Sequence, residues 1–226
     1  MRGTIMASIA VVGGTGNLGK GIARRLAQAG HSVTIGSRGA DRAQAVAEEM
    51  NAELGLTLSF GANTDVVAGK EVVIVTVPYE NQESTLKQIA PLVGSAIVVD
   101  TTVPLMPPKV MRVQLPAAGC AALEAREHLG PDVRFVTAFH NVAAHILDSA
   151  HKVECDVLVF GDDIEARKEI VTLVNSMGLR GLAGGALANS AAAEALTSIL
   201  IYMNKNYAAD GAGIRFTNLT SAPPIP

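Results

Sequence analysis

Gly14, Gly16 and Gly19 form a GxGxxG set inside Gly13-Gly14-Thr15-Gly16-Asn17-Leu18-Gly19, the stretch of this sequence whose spacing carries the most chemistry. It follows Ile9-Ala10-Val11-Val12, which reads as a strand, and opens a segment with Leu18, Ile22 and Leu26 at helical spacing. At such a junction the first glycine permits a tight turn. The second admits a pyrophosphate without a Cβ in the way, and the third lets helix pack on strand. Backbone N–H groups at the helix start then face the anion. The chemistry implied is dinucleotide binding, and a glycine-rich turn that holds no ligand is the competing reading.

The next apolar run, Ser32 to Ile35, leads into Gly36-Ser37-Arg38, where an NAD enzyme presents an acidic side chain to the ribose hydroxyls. Neither Asp nor Glu stands there. Ser37, Arg38 and, one helical turn beyond, Arg42 offer a hydroxyl and guanidinium groups that pair with the 2′-phosphate of NADP. This predicts NADP(H) over NAD. The alternative is that Arg38 and Arg42 are solvated residues at a helix start, where the dipole disfavours cations.

Val75-Thr76-Val77-Pro78-Tyr79 leaves a further apolar run at its carboxyl end, the edge where doubly wound sheets bind ligands, so its backbone is expected to flank the nicotinamide half. Pro78 also suits a plain strand terminator. Phe139-His140-Asn141-Val142-Ala143-Ala144 follows another run in the same way, which makes His140 the histidine best placed to position a substrate or ring, with a structural hydrogen bond as the alternative. No acid or base is firmly assigned. A carbonyl reductase of the two-domain hydroxy-acid type would carry a lysine on the later long helix, yet Ala188-Asn189-Ser190-Ala191-Ala192-Ala193-Glu194 has none before Lys205. Hydride exchange between two planar rings needs stacking and orientation with little proton transfer, and suits these residues better.

The elements that position these residues alternate. Apolar runs at Ser8 to Val12, Ser32 to Ile35, Val72 to Val77, Ala96 to Val99, Val133 to Ala138 and Val157 to Phe160 are separated by helical stretches. Helices are expected over Asn17 to Ala29, Ala40 to Met50 and Ile164 to Met177, the last started by Asp162-Asp163 and stopped by Gly178. The fold class is α/β, a doubly wound, mostly parallel Rossmann sheet with a small C-terminal helical part. Residues 7–183 are expected to form the NADP-binding domain. Residues 184–226 are expected to form a helical segment and tail for dimer contact and part of the substrate cleft, with Thr217 to Pro226 extended.

With 49% hydrophobic and 17% charged residues the chain has material for a substantial core, which excludes disorder. A net charge of −3 gives no basic field for nucleic acid or anionic membrane. Cys120 and Cys155 belong to no CxxC or Cys/His cluster, so neither a metal site nor a disulfide is expected, and buried or half-buried thiols point to a reducing, cytoplasmic setting. The start, Met1 to Met6, does not resemble a signal peptide. The apolar stretch Ala186 to Met203 is broken by Asn189, Ser190, Glu194 and Thr197, and is expected to be a buried or interfacial helix, not a membrane span.

Val12 to Gly21 followed by Gly36-Ser37-Arg38 resembles the family of coenzyme F420-dependent NADP oxidoreductases. The similarity extends through Thr76-Val77-Pro78, His140-Asn141, Gly161-Asp162-Asp163 and Asn189-Ser190 to Gly213-Ile214-Arg215-Phe216, nearly the whole chain. The resemblance implies reversible hydride transfer between NADPH and the deazaflavin F420 as co-substrate, with the rings stacked in a cleft, usually in a homodimer. It implies that Thr15, Asn17, Leu18, Ser37, Arg38 and Arg42 hold the NADP phosphates. It further implies that Val77, Pro78, His140 and Val142 border the reacting rings, with Thr76 and Ala144 beside them. Tyr79 and Glu80 stand where some members have Trp and Glu. Two other functions keep the nucleotide site: an NADPH-dependent flavin, ferric or small-organic-substrate reductase, and a non-catalytic NADP(H)-binding regulatory protein.

Overall fold

The computed structural model of the chain describes residues 6–149 and 151–219. Ser8–Val12 forms β1 in the interior of an eight-stranded sheet. It is apolar almost throughout because it serves two buried faces: Ile9 and Val11 enter one core layer, Ala10 and Val12 the other. Val72–Val75, β4, divides in the same way, Val72 and Ile74 against Val73 and Val75. A parallel strand covered by helices on both sides requires this pattern.

The remaining strands are β2 (Ser32–Ser37), β3 (Ser59–Ala62), β5 (Ile97–Asp100), β6 (Arg134–Thr137), β7 (Asp156–Phe160) and β8 (Arg180–Gly185). Across the sheet they run β3-β2-β1-β4-β5-β6-β7-β8. From β1 the chain winds outward through β2 to β3, then returns to β4 on the other side of β1. The carboxyl ends of β1 and β4 therefore flank the topological switch point, where open α/β sheets take their ligands. The pairings are parallel except between β6 and β7, which meet antiparallel at Thr137 and Phe160.

The helices are α1 (Asn17–Gln28), α2 (Ala40–Leu54), α3 (Gln82–Ile89), α4 (Ala121–Leu129), α5 (Ala144–Leu147), α6 (Ile164–Ser176) and α7 (Ser190–Asn206). α6 starts as its sequence predicts: the Asp163 carboxylate accepts the Ala166 N–H at 3.0 Å, and the helix is followed by Gly178 at φ +74°. α2 runs past the expected Met50 to Leu54, where Gly55 at φ +64° stops it. The run expected over Val72 to Val77 ends as a strand at Val75, because Thr76 and Val77 already leave the sheet ahead of Pro78. The tail read as extended lies outside the described residues from 220 onward, and so do residues 1–5.

α7 departs from ordinary amphipathicity. It buries Ser190, Ala193, Glu194 and Ser198 while Ile199, Tyr202 and Met203 are exposed. The polar residues face inward because each finds a partner there, as set out below. No helix among the described residues is long and apolar enough to cross a membrane.

Candidate site at the β1–β4 crevice

The glycine turn leaves β1 with Gly13 at φ +73°, a conformation L side chains rarely adopt. At Gly19 a Cβ would lie 2.6 Å from the Gly14 Cα and 2.7 Å from the Thr76 hydroxyl, so this glycine lets α1 close on the turn and on the end of β4. Gly16 differs. A Cβ there would meet only the Gly13 carbonyl oxygen at 3.6 Å, an ordinary contact. No protein atom demands glycine at position 16, so the notch it leaves is space for something that approaches the backbone from outside.

The donors that face this notch are fewer than the glycine count suggests. Gly13 N–H donates to the Asn63 side-chain oxygen at 3.1 Å, Gly14 N–H to the Gly36 carbonyl at 2.9 Å and Gly16 N–H to the Gly13 carbonyl at 3.1 Å. α1 has no side-chain cap and no acidic residue in its first turn. The opening N–H groups at Asn17 and Leu18, with Thr15 before them, are thus the ones a diphosphate would engage.

Ser37 ends β2 as a buried residue, and Arg38 and Arg42 follow exposed, Arg42 in the first turn of α2. Neither arginine forms an ion pair among the described residues. Asp41 in the first turn of α2 is the one acid between them, so this helix start carries two cations against one carboxylate. Asn63, which follows β3, ties this end together: its side chain accepts from Gly13 and its N–H donates to the Ser37 carbonyl at 2.8 Å. Sequence reasoning missed Asn63 because β3, Ser-Phe-Gly-Ala on the sheet edge with no buried residue, carries no apolar run.

On the other side of the crevice, Thr76 donates through its hydroxyl to the Val12 carbonyl at 3.0 Å, which locks the ends of β4 and β1 together, and Val77 and Pro78 then turn away. His140 follows β6 beyond Phe139, a non-glycine residue at φ +67°. Its ring is 6% exposed, its centroid lies 6.1 Å from that of Phe160, and its buried Nε2 has no hydrogen-bond partner. Burial lowers its pKa to about 4, so it is a neutral imidazole. The nitrogen is enclosed by protein atoms and leaves one hydrogen-bonding position of the ring unused.

The His140 backbone is held from α7. Thr197 donates its hydroxyl to the His140 carbonyl at 2.8 Å, and Asn141 donates its amide to the Ala193 carbonyl at 2.8 Å. Thr137 and Ser190 hydroxyls meet at 2.7 Å one turn earlier. Val142 turns toward a small cleft of about 190 Å³ that it shares with Ile146, Val153, Cys155 and Gly213, walls that do not include the glycine turn. Ala144 opens α5, which packs on α1.

Residues 8–104 match the family described as "NADP oxidoreductase coenzyme F420-dependent". Over 221 residues the chain is 37% identical to the F420-dependent NADP reductase of Methanocaldococcus jannaschii, covering 93% of this chain and 98% of that one. The chain belongs to the F420-dependent NADP reductase family. A second relative of that name, from Methanothermobacter thermautotrophicus, is 34% identical and covers 93% of this chain and 95% of its own length. A solved structure from Arthrobacter sp. FB24 superimposes with a TM-score of 0.79 at 24% identity, over 94% of this chain and all of that one, which confirms the fold. Membership of the family spans both the nucleotide half and the α7 half, so the β1–β4 crevice and the His140 loop belong to one inherited architecture.

Proposed function

We propose that this chain catalyses reversible hydride transfer between NADPH and the deazaflavin coenzyme F420. The observation that carries this reading is 37% identity, over nearly the full length of both chains, to a protein named for that activity. NADPH supplies the hydride and oxidised F420 takes it up, or the reverse, with the chain contributing orientation and exclusion of water.

Thr15, Asn17 and Leu18 present backbone donors to the diphosphate, with Gly14, Gly16 and Gly19 shaping the turn. Ser37, Arg38 and Arg42 take the 2′-phosphate. Thr76, Val77 and Pro78 flank the nicotinamide, and His140, Val142 and Ala144 complete the acceptor's side. His140 is a positioning group: a nitrogen that stays neutral down to about pH 4 offers a hydrogen bond, not a proton store. Residues 7–183 serve as the nucleotide domain and 184–226 as the segment that completes the cleft. Its exposed Ile199, Tyr202 and Met203 contact a second copy. With two free thiols, a chain of this kind works in the reducing cytoplasm, on small molecules and not on nucleic acid or membrane.

The test is optical. Purified protein with NADPH and F420 is expected to bleach the visible absorbance of the deazaflavin, and to do so far more slowly with NADH. Protein that binds NADPH yet leaves the spectrum unchanged, or that consumes NADPH only with flavins or ferric chelates, would overturn the reading.

A further inference from the structure

The first two N–H groups of α4 have no local acceptor. Cys120 sits at the N-cap position and makes no side-chain cap. Both groups are met instead from α7, across the fold: Glu194 accepts from Ala121 N–H at 2.7 Å through Oε2 and from Ala122 N–H at 3.0 Å through Oε1. Glu194 is 1% exposed. Its carboxyl sits at a helix start, where unpaired N–H groups need acceptors.

Glu194 lies in the middle of the inward face of α7. Ser190, one turn before it, meets Thr137 at the end of β6; Thr197, three residues on, holds the His140 carbonyl; Ser198 donates to the Arg112 carbonyl at 3.3 Å. These hydroxyl contacts are uncharged and rotatable, and Thr197 shares its hydroxyl with the Ala193 carbonyl and the Asn141 amide. The Glu194 contact is paired and charge-assisted, so it sets the rotation and height of α7 on the sheet edge more firmly than its neighbours do. We propose that Glu194 is a positioning residue: by capping α4 with both carboxylate oxygens it seats α7, and through Thr197 it fixes the His140 end of the cleft. The inference rests on the assignment of that end to the deazaflavin.

Both carboxylate oxygens act as acceptors here, an arrangement that Gln at this position could not reproduce. The groups that face it are acidic or neutral. Asp100 at the end of β5, Glu124 on α4, the Cys120 thiol and the Tyr79 phenol surround it, and burial with the Asp100 and Glu124 charges raises its pKa to about 7.

Two variants and two readouts test this. Glu194→Gln keeps the shape but offers one acceptor; its KM for F420 at pH 8 is expected to rise about tenfold, with the KM for NADPH within about twofold. Glu194→Asp restores the charge without the reach and should recover part of the effect. Independently of turnover, amide exchange at 121–124 and 190–198 in nucleotide-free protein should accelerate about tenfold in Glu194→Gln. If both KM values shift together in step with the melting temperature, or if exchange at 121–124 is unchanged in Glu194→Gln, the proposal is wrong. Failure of the wild type to use F420 would remove the proposed acceptor and leave the exchange result to decide the cap itself.

Discussion

Gly16 and Gly19 lie on the same turn, yet a methyl group meets different surroundings at each. At position 19 it runs into backbone, and the turn and helix must part; Gly19→Ala is expected to lower folding stability by about 1 to 3 kcal/mol. At position 16 it meets open space, so Gly16→Ala should melt within about 0.5 kcal/mol of wild type while losing NADPH affinity at least tenfold, about 1.4 kcal/mol. Paired thermal melts and nucleotide titrations check this, and equal stability losses in the two variants would count against a phosphate at the notch. His140 makes a second residue-scale prediction. Its folded pKa of about 4 lies below the ordinary value. The unfolded chain therefore binds the proton first as pH falls. The stability this ring contributes is whole above about pH 6.5 and is lost progressively toward about pH 4, to an extent of about 3 kcal/mol. Asp100 and Glu194, raised to about 6 and about 7, act with the opposite sign and lose their contribution as pH rises past those values. Denaturant titrations of wild type against His140→Gln isolate the histidine: the gap between the two proteins should narrow on acidification, and a gap that stays constant from pH 8 to about pH 4.5 would rule out the buried neutral ring.

At the scale of elements, what could be read from the chain depended on whether the structural reason was local. β1 and β4 announce themselves because strands covered on both faces are apolar at consecutive positions, and β7 does so through its run from Val157 to Phe160. α6 does so because its cap is a short-range feature, and Asp163→Ala should cost about 1 kcal/mol where Asp163→Asn costs less, measured by thermal or denaturant unfolding. β3 and β8 were not legible: Ser-Phe-Gly-Ala and Arg-Gly-Leu-Ala-Gly-Gly are edge strands rich in glycine, with little buried surface of their own. α3 was missed because its eight residues bury few apolar side chains. Of the candidate site, the glycine turn and the arginines after β2 were visible as motifs. Asn63, Thr197 and Glu194 were not, since each acts on a partner 50 or more residues away and neither end of such a pair marks the other. Asn141 was quoted only as part of a motif, and its hold on α7 came from the fold.

For the whole molecule, α7 poses the main question. A helix that turns its polar residues inward must leave its apolar ones outside, and Ile199, Tyr202 and Met203 are between 37% and 49% exposed on it. If a second copy covers that face, Tyr202→Glu should convert the protein to a monomer in sedimentation or light-scattering measurements at micromolar concentration and leave the NADPH dissociation constant unchanged. A wild type that is monomeric across that range would remove the interface.

The antiparallel pairing of Thr137 with Phe160 is the one ladder contact between β6 and β7. Beyond it, β7, α6 and β8 form a βαβ lobe whose own strands are parallel to each other. The backbone tie is short and side chains carry the rest: Arg134 pairs with Asp163 and Glu169 across it, and Val136 shares one apolar cluster with Val157 and Ile170. The ring of His140 stands just past that attachment and leans on Phe160 from the far side of it. Because backbone contributes so little there, the wall beside the imidazole is set by side-chain packing across the boundary between β6 and β7.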